Sequence, residues 1–387
     1  MTESLDLTPQ QLVAAAEAGE PLQVLDVRAP QSLAAGRIDL VPAERFLNLP
    51  GSRLAALEDP EAAGLRRDLP VAVVCARGIS SRPVAAHLRA LGYRARSLAG
   101  GMAGWMTASV ERQLEPPPGF ERFVQWDRVG KGALGYLLVA DGEALLVDPP
   151  RATRPLLEMA AAAGARVVAV ADTHVHADYI SGGPGLAARL GVPYHLHADD
   201  HVFPPDGTPG RLTIAPLAEG QVLRVGRGEV VVRHTPGHTD GSVTLFAGQA
   251  GAPGRLAALT GDFLFVGSVG RPDIAGKAAE WTPKLWASLE RARREWPREL
   301  AIHPAHYSGP AERRPDGAVG APFAQLLDTN AALRLADTEA FAAWIAARSS
   351  PVPAAYVRIK AINVGLLAVD AEEADVLESG RNECAAG

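Results

Sequence analysis

The stretch Thr173-His-Val-His-Ala-Asp-Tyr179 directly follows the apolar run Val167-Val-Ala-Val170, which predicts a buried strand. Imidazole and carboxylate groups at a strand end can converge on a metal ion when other strand ends supply further ligands. One His-x-His pair is weak evidence, but several motifs beside glycines or strand ends argue against coincidence. Three more follow: Thr235-Pro-Gly-His238, Leu259-Thr-Gly-Asp262 and His303-Pro-Ala-His306.

The type of metal site is open at this point. Two histidines and one carboxylate on one face suit iron(II) with open positions, whereas more histidines with a bridging aspartate suit a zinc hydrolase. The nearby stretch His195-Leu-His-Ala-Asp-Asp-His201 imitates a ligand cluster. It follows a short predicted strand, enters a Pro- and Gly-rich loop and has no partner motif, so we expect it on the surface or supporting the ligands.

The chain around these motifs alternates strands and helices. Residues 135–139 and 144–147 predict two strands joined by an Asp-Gly hairpin, and 222–225, 230–234 and 243–246 predict three more. Helices are expected at 155–163, after Pro283 and over 323–335. This part of the chain therefore has a mixed α/β or αββα pattern.

A proline-rich segment, Gln113-Leu-Glu-Pro-Pro-Pro-Gly119, divides the chain, because consecutive prolines favour an extended spacer. We expect one domain over 1–113, a linker over 114–119 and a second domain over 120–387. In the first domain, Thr8 caps a predicted helix over 9–17, strands are expected at 22–25 and 71–74, and a helix at 82–91. This alternation is typical of an α/β domain with a parallel sheet.

Cys75 stands between a predicted buried strand and a helix, in Val74-Cys-Ala-Arg-Gly-Ile-Ser-Ser-Arg82. Backbone N–H groups and the positive end of a helix lower a thiol pKa in such a loop. Arg77 and Arg82 add positive charge, and Gly78 permits a tight turn. The pattern favours a nucleophilic thiolate that carries sulfur, and the alternative is a buried structural cysteine.

Composition narrows the classes of function. The 387 residues are 47% hydrophobic with a net charge of −6, which fits a globular protein and disfavours nucleic acid or anionic membrane as a partner. No apolar run approaches the ~20 residues of a membrane span, and the start lacks a secretory leader pattern. Only two cysteines occur, so we expect a reducing cytoplasm, with Cys384 a plain surface or buried thiol.

Residues 1–113 resemble a rhodanese, a sulfurtransferase domain, along their whole length. The resemblance implies a persulfide on Cys75, held in a catalytic loop with Arg77, Gly78, Ser80 and Arg82. The matching stretches are Leu25-Asp-Val-Arg28, Ala35-Gly-Arg-Ile38 with Arg in place of His, Leu47-Asn-Leu-Pro50, the loop 75–81 and Leu98-Ala-Gly-Gly-Met-Ala-Gly-Trp105.

The order of motifs over about 120–310 is similar to the metallo-β-lactamase fold, a four-layer αββα sandwich. Dinuclear zinc members such as glyoxalase II carry His-x-His-x-Asp-His, a later His, a bridging Asp and a last His. This chain has Tyr179 at the end of the first motif. A phenol with a pKa of about 10 substitutes poorly for a neutral imidazole, which argues against a dinuclear hydrolase.

The closer resemblance is to the persulfide dioxygenase (sulfur dioxygenase) branch, the ethylmalonic-encephalopathy protein type. It implies one iron on His174, His238 and Asp262. His176, Asp178 and His306 would then orient the ligands or bond iron-bound water. Gly270-Arg-Pro-Asp273 resembles the Gly-Arg-x-Asp of that branch.

That motif implies that Arg271 helps to hold the thiol substrate, and the alternative is an ion pair with Asp273. Tyr307 follows His306 and is a second candidate for substrate binding. The glutathione-specific members have Asp-Tyr after this histidine, whereas this chain has Tyr307-Ser308, so the carrier thiol stays open. Residues from about 311 form a weakly matching C-terminal appendage.

Together the two resemblances predict a bifunctional sulfur-oxidation enzyme with one Fe(2+) per chain, or Zn(2+) as the alternative. The expected small molecules are a thiol persulfide of glutathione or another carrier, oxygen, sulfite and thiosulfate. One alternative function is a zinc-dependent thioester hydrolase of the glyoxalase II type, and another is a non-catalytic sulfur carrier or sensor. The sequence leaves open the direction of sulfur transfer and the oligomeric state, for which a homodimer is one option.

Overall fold

A computed structural model describes residues 4–57, 59–249, 251 and 255–386. The first three residues, which belong to the start expected to lack a leader pattern, lie outside this range. The chain forms two compact units. The N-terminal unit comprises Met1–Val110, Arg128–Lys131 and Ser379–Arg381, and the C-terminal unit comprises Glu111–Asp127, Gly132–Glu378 and Asn382–Gly387.

The N-terminal unit contains a parallel sheet of five strands within the described residues, in the order β1-β5-β4-β2-β3. All four residues of the central strand β4 are buried. Cys75 directly follows β4, so it lies at the carboxyl end of the central strand of the sheet. The strands are β1 Asp6–Leu7, β2 Gln23–Asp26, β3 Phe46–Asn48, β4 Val71–Val74 and β5 Ala95–Leu98. The helices are α1 Pro9–Glu17, α2 Gly51–Leu54, α3 Ser81–Ala90 and α4 Gly101–Thr107.

The helix predicted over 9–17 is confirmed. The Thr8 hydroxyl accepts the Gln11 N–H at 3.1 Å while the Gln11 side chain accepts the Thr8 N–H at 3.0 Å, a reciprocal cap. The helix predicted at 82–91 lies one residue earlier, as α3.

The strand β6, Val110–Leu114, belongs to the first sheet of the C-terminal unit, so the boundary expected at residue 113 falls inside a strand. Seven strands of the described residues form this sheet, in the order β14-β11-β10-β9-β8-β7-β6. Strands β8 and β9 form the predicted hairpin. The other members are β7 Arg122–Arg128, β8 Ala133–Ala140, β9 Glu143–Val147, β10 Arg166–Ala171, β11 Tyr194–His197 and β14 Ala215–Leu217.

A second sheet of this unit has six strands in the described range, ordered β15 through β20. They are β15 Val222–Val225, β16 Gly228–His234, β17 Val243–Ala247, β18 Ala257–Gly261, β19 Ala301–Pro304 and β20 Ala321–Pro322. A small pair, β12 Val202–Phe203 and β13 Thr208–Pro209, lies apart from both sheets. The helices of the unit are α5 Arg154–Ala162, α6 Gly183–Leu190, α7 Ala278–Glu295, α8 Phe323–Thr329, α9 Thr338–Ala346, α10 Ala354–Asn363 and α11 Ala371–Leu377.

Three apolar clusters hold the C-terminal unit together as four layers, two sheets between two layers of helices. Between the sheets, Leu138 and Val147 of the first share one core with Val230 and Leu245 of the second. Helices α5 and α6 cover the outer face of the first sheet, and α7 to α9 cover that of the second. The predicted α/β fold class, with an αββα C-terminal domain, is confirmed.

Two helix boundaries were predicted wrongly. Helix α7 begins at Ala278, before Pro283, because Trp281 and Leu285 on either side of the proline are buried and hold the first turns. Helix α8 ends at Thr329 because the Asn330 side chain accepts the Ala332 N–H and donates to the Phe265 and Ser268 carbonyls, which replaces the next helical bonds. None of the helices in the described residues combines the length and apolarity that crossing a bilayer requires.

Candidate metal centre and cysteine loop

Three predicted ligands from three separate loops converge in the C-terminal unit. The Nε2 atoms of His174 and His238 lie 3.6 and 3.5 Å from Oδ2 of Asp262. All three side chains are buried, and these three atoms have no hydrogen-bond partner among the described residues. Buried polar atoms without partners are costly, so their convergence indicates a place for a ligand.

The opposite ring nitrogens fix how the two histidines point. Nδ1 of His238 lies 2.9 Å from the Arg271 carbonyl, which can only accept, so Nδ1 carries the proton. Nδ1 of His174 lies 3.0 Å from the Thr173 hydroxyl, and that hydroxyl donates to Asp148 at 2.9 Å. Both Nε2 atoms therefore present lone pairs to the shared space.

The protonation states also fit a metal ion. Burial lowers the pKa of His238 to about 3 and that of His174 below its ordinary value, so both rings are neutral. Burial alone would raise the pKa of Asp262, but the positive charge of His306 holds it well below the usual range. Two neutral imidazoles and one carboxylate suit a divalent ion with open coordination positions.

A glycine makes the close packing of two of these ligands possible. A Cβ atom on Gly270 would lie 2.7 Å from Nδ1 of His238 and would collide with the Asp262 carbonyl. No side chain larger than hydrogen fits between His238 and Asp262. The first position of the Gly-Arg-x-Asp motif must therefore be glycine for these two ligands to pack together.

His306 lies beside this centre rather than in it. Its Nδ1 is 2.6 Å from Oδ1 of Asp262 and its Nε2 is 3.1 Å from Oδ2 of Asp178. Burial lowers its pKa, but the two carboxylates outweigh burial and raise it to about 10. Asp178, His306 and Cys384 each offer a ligand atom within 4.8 Å of one another, so Cys384 is a buried neighbour of the centre.

His176 turns away from the three-residue set. Its Nε2 lies 3.0 Å from Asp148 and 2.9 Å from the Tyr179 hydroxyl. Asp148 also accepts the Thr173 N–H at 2.7 Å, so it braces both histidines of the His-x-His motif. Sequence reasoning missed Asp148, and the available signal was a carboxylate directly after strand β9.

Asp200, part of the stretch that imitates a ligand cluster, supports two ligand loops. Its carboxylate accepts the N–H groups of Val175 and Gly241, both at 2.7 Å, and the Thr239 hydroxyl at 2.8 Å. The same stretch also supplies His197, which stacks on His234 at 4.3 Å. Asp200 thus ties the loop of His174 to the loop of His238.

Arg271 does not present a donor to a substrate. Its Nε and Nη2 donate to Asp273 at 2.9 and 2.7 Å, Nη1 donates to the Ser350 hydroxyl and the Glu383 carbonyl, and Nη2 also donates to the Ser350 carbonyl. These bonds use all five guanidinium donors. The expected pairing with a substrate carboxylate is therefore replaced by the ion pair with Asp273, which ties the C-terminal segment to this loop.

Tyr307 also points elsewhere. Its hydroxyl donates to the buried Asp127 at 3.0 Å and accepts from Arg313, whose guanidinium stacks 4.6 Å above the ring. The ring belongs to the core between the sheets. The substrate-binding role expected for Tyr307 is therefore not supported, because successive residues along this segment point in different directions.

The cysteine loop of the N-terminal unit is compact. The Cys75 sulfur lies 3.1 Å from the Ser81 hydroxyl, which lies 2.8 Å from the Ser97 hydroxyl. Gly78 has φ of +75°, and a Cβ there would lie 2.6 Å from the Gly100 nitrogen. Gly78 therefore allows the loop to close onto Gly100, in the Leu98–Trp105 stretch that matches the rhodanese family.

The charge on the sulfur is stabilised by short-range donors. Burial raises the pKa of Cys75, but the Ser80 and Ser81 hydroxyls and the N–H groups of Ser81 and Arg77 lower it from 9.0 to about 7. The Arg82 side chain is exposed and pairs with Asp6 at 3.4 Å. The arginine charges expected to activate the thiol are replaced by hydroxyl and backbone donors, and Ser81 is the contributor that sequence reasoning missed.

Comparison with known proteins places both units. The metallo-beta-lactamase superfamily matches residues 130–320, and the rhodanese-like domain matches residues 8–108. A hydroxyacylglutathione hydrolase of Anaeromyxobacter dehalogenans is 34% identical over 245 residues, covering 61% of this chain and 82% of that protein. The mitochondrial persulfide dioxygenase ETHE1 of Homo sapiens is 28% identical over 172 residues, covering 42% of this chain and 59% of that protein.

Among solved structures, ETHE1 from Myxococcus xanthus is similar, with a TM-score of 0.50 and 25% identity, covering 66% of this chain and 99% of that one. The chain belongs to the metallo-beta-lactamase superfamily, and a rhodanese-like domain precedes its metallo-beta-lactamase domain. Both resemblances expected from the motifs are confirmed.

Proposed function

We propose that this chain is a persulfide dioxygenase with an attached sulfurtransferase. The observation that carries the proposal is the set of three convergent, unpartnered ligand atoms of His174, His238 and Asp262, with a phenol at Tyr179. This set is the two-histidine, one-carboxylate arrangement of iron(II) oxygenases. The similarity to ETHE1 proteins in sequence and in fold supports the same assignment.

An iron(II) ion held by these residues would supply the activation of oxygen and the oxidation of sulfane sulfur. The overall reaction converts one persulfide, one dioxygen and one water to one thiol, one sulfite and two protons. The sulfane sulfur loses four electrons and dioxygen gains them, so no further reductant is required.

The residues of this chain would hold and tune the site. Neutral His174 and His238 keep fixed tautomers through Thr173 and the Arg271 carbonyl. The protonated ring of His306 spans Asp262 and Asp178, which keeps Asp262 ionised and its Oδ2 available. Because its pKa is raised to about 10, His306 would keep this proton at neutral pH.

The cysteine loop would move the sulfane sulfur. A thiol whose pKa is lowered to about 7 is partly thiolate at neutral pH, and the donors that stabilise the thiolate would equally stabilise a persulfide anion. Sulfur transferred through Cys75 would connect thiosulfate, sulfite and the thiol persulfide, and covalent attachment raises the concentration of a shared intermediate. Such chemistry fits the reducing cytoplasm expected from the low cysteine content.

A second candidate is a zinc-dependent hydrolase, favoured by the neighbouring cluster of Asp178, His306 and Cys384 and by the similarity to hydroxyacylglutathione hydrolase. Those side chains could hold a second ion, which a dinuclear hydrolase requires.

Metal analysis combined with an oxygen electrode separates the two functions. We expect about one iron per chain and oxygen uptake that depends on glutathione persulfide. Two zinc ions per chain, with thioester hydrolysis and no oxygen uptake, would refute the dioxygenase proposal.

A further inference from the structure

The C-terminal appendage contributes a helix face to the metal centre. Tyr356, Lys360 and Asn363 lie at positions i, i+4 and i+7 of α10, so they share one face of that helix. All three are buried, whereas Val357 and Arg358 on the opposite face are exposed. An apolar helix face would have been sufficient for packing, so three polar residues on it require an explanation.

Hydrogen bonds to the surrounding backbone explain two of these residues, Asn363 and Tyr356. The Asn363 amide donates to the carbonyls of His176 and Tyr179 at 2.9 and 2.8 Å, which fixes the His-x-His loop. The Tyr356 hydroxyl accepts the Glu383 N–H at 2.7 Å, directly before Cys384. Lys360 lies between them on the same face of the helix, about one turn from each.

Among the described residues, the amine of Lys360 makes no hydrogen bond comparable to those of Tyr356 and Asn363. Its side chain is 2% exposed, and Nζ has no hydrogen-bond partner among the described residues. Lys360 lies about one turn before Asn363 on the face of α10 whose amide bonds the His-x-His loop, so its side chain is buried on the side of the helix that packs against this loop. The charges of Asp200, Cys384, Asp262 and Asp178 all act on the amine. Burial lowers the pKa of Lys360, and an anion placed beside it would reverse that effect.

We propose that Lys360 binds the negative charge of the substrate's terminal sulfur, and of the sulfur oxyanion formed from it, beside the metal centre. The proposal rests on the proposed function for the identity of that anion. Lys360 is therefore a specificity residue for small sulfur anions.

Titration of the iron-loaded protein with sodium sulfite, without oxygen, tests the proposal. The measurements use a Cys75→Ser background so that the cysteine loop adds no sulfur chemistry. Because a charge-assisted bond is lost, we expect sulfite to bind Lys360→Met at least about 10-fold more weakly, with unchanged iron content. Lys360→Arg should recover part of the affinity. Arg358→Met is the matched control, since it removes a positive charge from the outer face of the same helix, and it should leave the affinity unchanged.

Thermal unfolding without sulfite separates a binding role from a structural one. A buried ammonium without a partner is unfavourable, so Lys360→Met should melt about 2 °C or more above the parent protein. Equal sulfite affinity in Lys360→Met and parent would overturn the proposal, as would loss of iron with a lower melting temperature. If no variant consumes oxygen with a persulfide, the proposed function fails, while the sulfite titration still decides the role of Lys360.

Discussion

The cysteine loop and the metal centre differ in how far apart along the chain their parts lie. Cys75 and the hydroxyls that lower its pKa lie within seven residues of one another, and the more distant contacts of the loop come from Ser97 and the Met102 N–H, in the next strand and helix. The metal centre combines residues 174, 238 and 262 with supports from 148 to 384. A local site follows from one strand–loop–helix element, whereas a dispersed site depends on how several loops pack together.

The largest effect that separates the two regions is expected from Cys75→Ser. Loss of the nucleophilic sulfur should reduce sulfur transfer from thiosulfate to a thiol at least about 1,000-fold, measured as sulfite release. Oxygen uptake with persulfide should stay unchanged, because the metal ligands lie in the other unit. The control is Cys384→Ser, which should leave sulfur transfer intact. Loss of both activities in Cys75→Ser would show that the regions do not work independently.

The converse change is His238→Ala. Removing one of three ligand atoms should lower bound iron to below about a tenth of an ion per chain and oxygen uptake at least about 100-fold, while sulfur transfer persists. The matched control is His197→Ala, because His197 belongs to the stretch that imitates a ligand cluster and stacks on His234. Iron retained in His238→Ala, or lost in His197→Ala, would contradict the assigned centre.

The variant Arg271→Met tests whether Arg271 has a structural role or binds the substrate. Because the buried guanidinium uses all five donors, its loss should destabilise the protein by about 3 kcal/mol, measured by urea unfolding. A substrate-binding arginine would instead raise KM for the persulfide with little change in stability. Lys360→Met provides the contrast, since it is expected to change stability in the opposite direction.

The smallest effect is expected at the cysteine loop. Hydrogen bonds to the sulfur stabilise the thiolate, so Ser81→Ala should raise the pKa of Cys75 from about 7 by roughly one unit. The thiolate fraction at pH 7 would fall from about half to about a tenth. The rate of alkylation by iodoacetamide, followed against pH, measures this shift.

The matched control for the cysteine loop is Arg82→Gln. Arg82 pairs with Asp6 at the surface, so the pKa of Cys75 should stay at about 7 in this variant. A larger shift in Arg82→Gln than in Ser81→Ala would restore the arginine explanation.

Much of the fold could be predicted because it depends on short-range patterns. The apolar run 71–74, the Thr8 cap and the Asp-Gly hairpin specify their elements through burial, capping and turn geometry. The two wrong boundaries, at α7 and α8, depend on distant contacts. Buried Trp281 stabilises a helix that proline disfavours, and Asn330 ends a helix by bonding carbonyls more than sixty residues away.

The two families, the motifs that carry His174, His238 and Asp262, and the position of Cys75 after a strand could be assigned from the amino-acid sequence alone. Each of these features is carried by residues that are adjacent in the chain. The partner of each side chain depends on the folded structure. The packing of distant segments pairs Arg271 with Asp273, directs Tyr307 to Asp127 and brings Cys384 beside the metal centre. Donor saturation and burial depend on groups far apart in the chain, and no spacing of residue types encodes them.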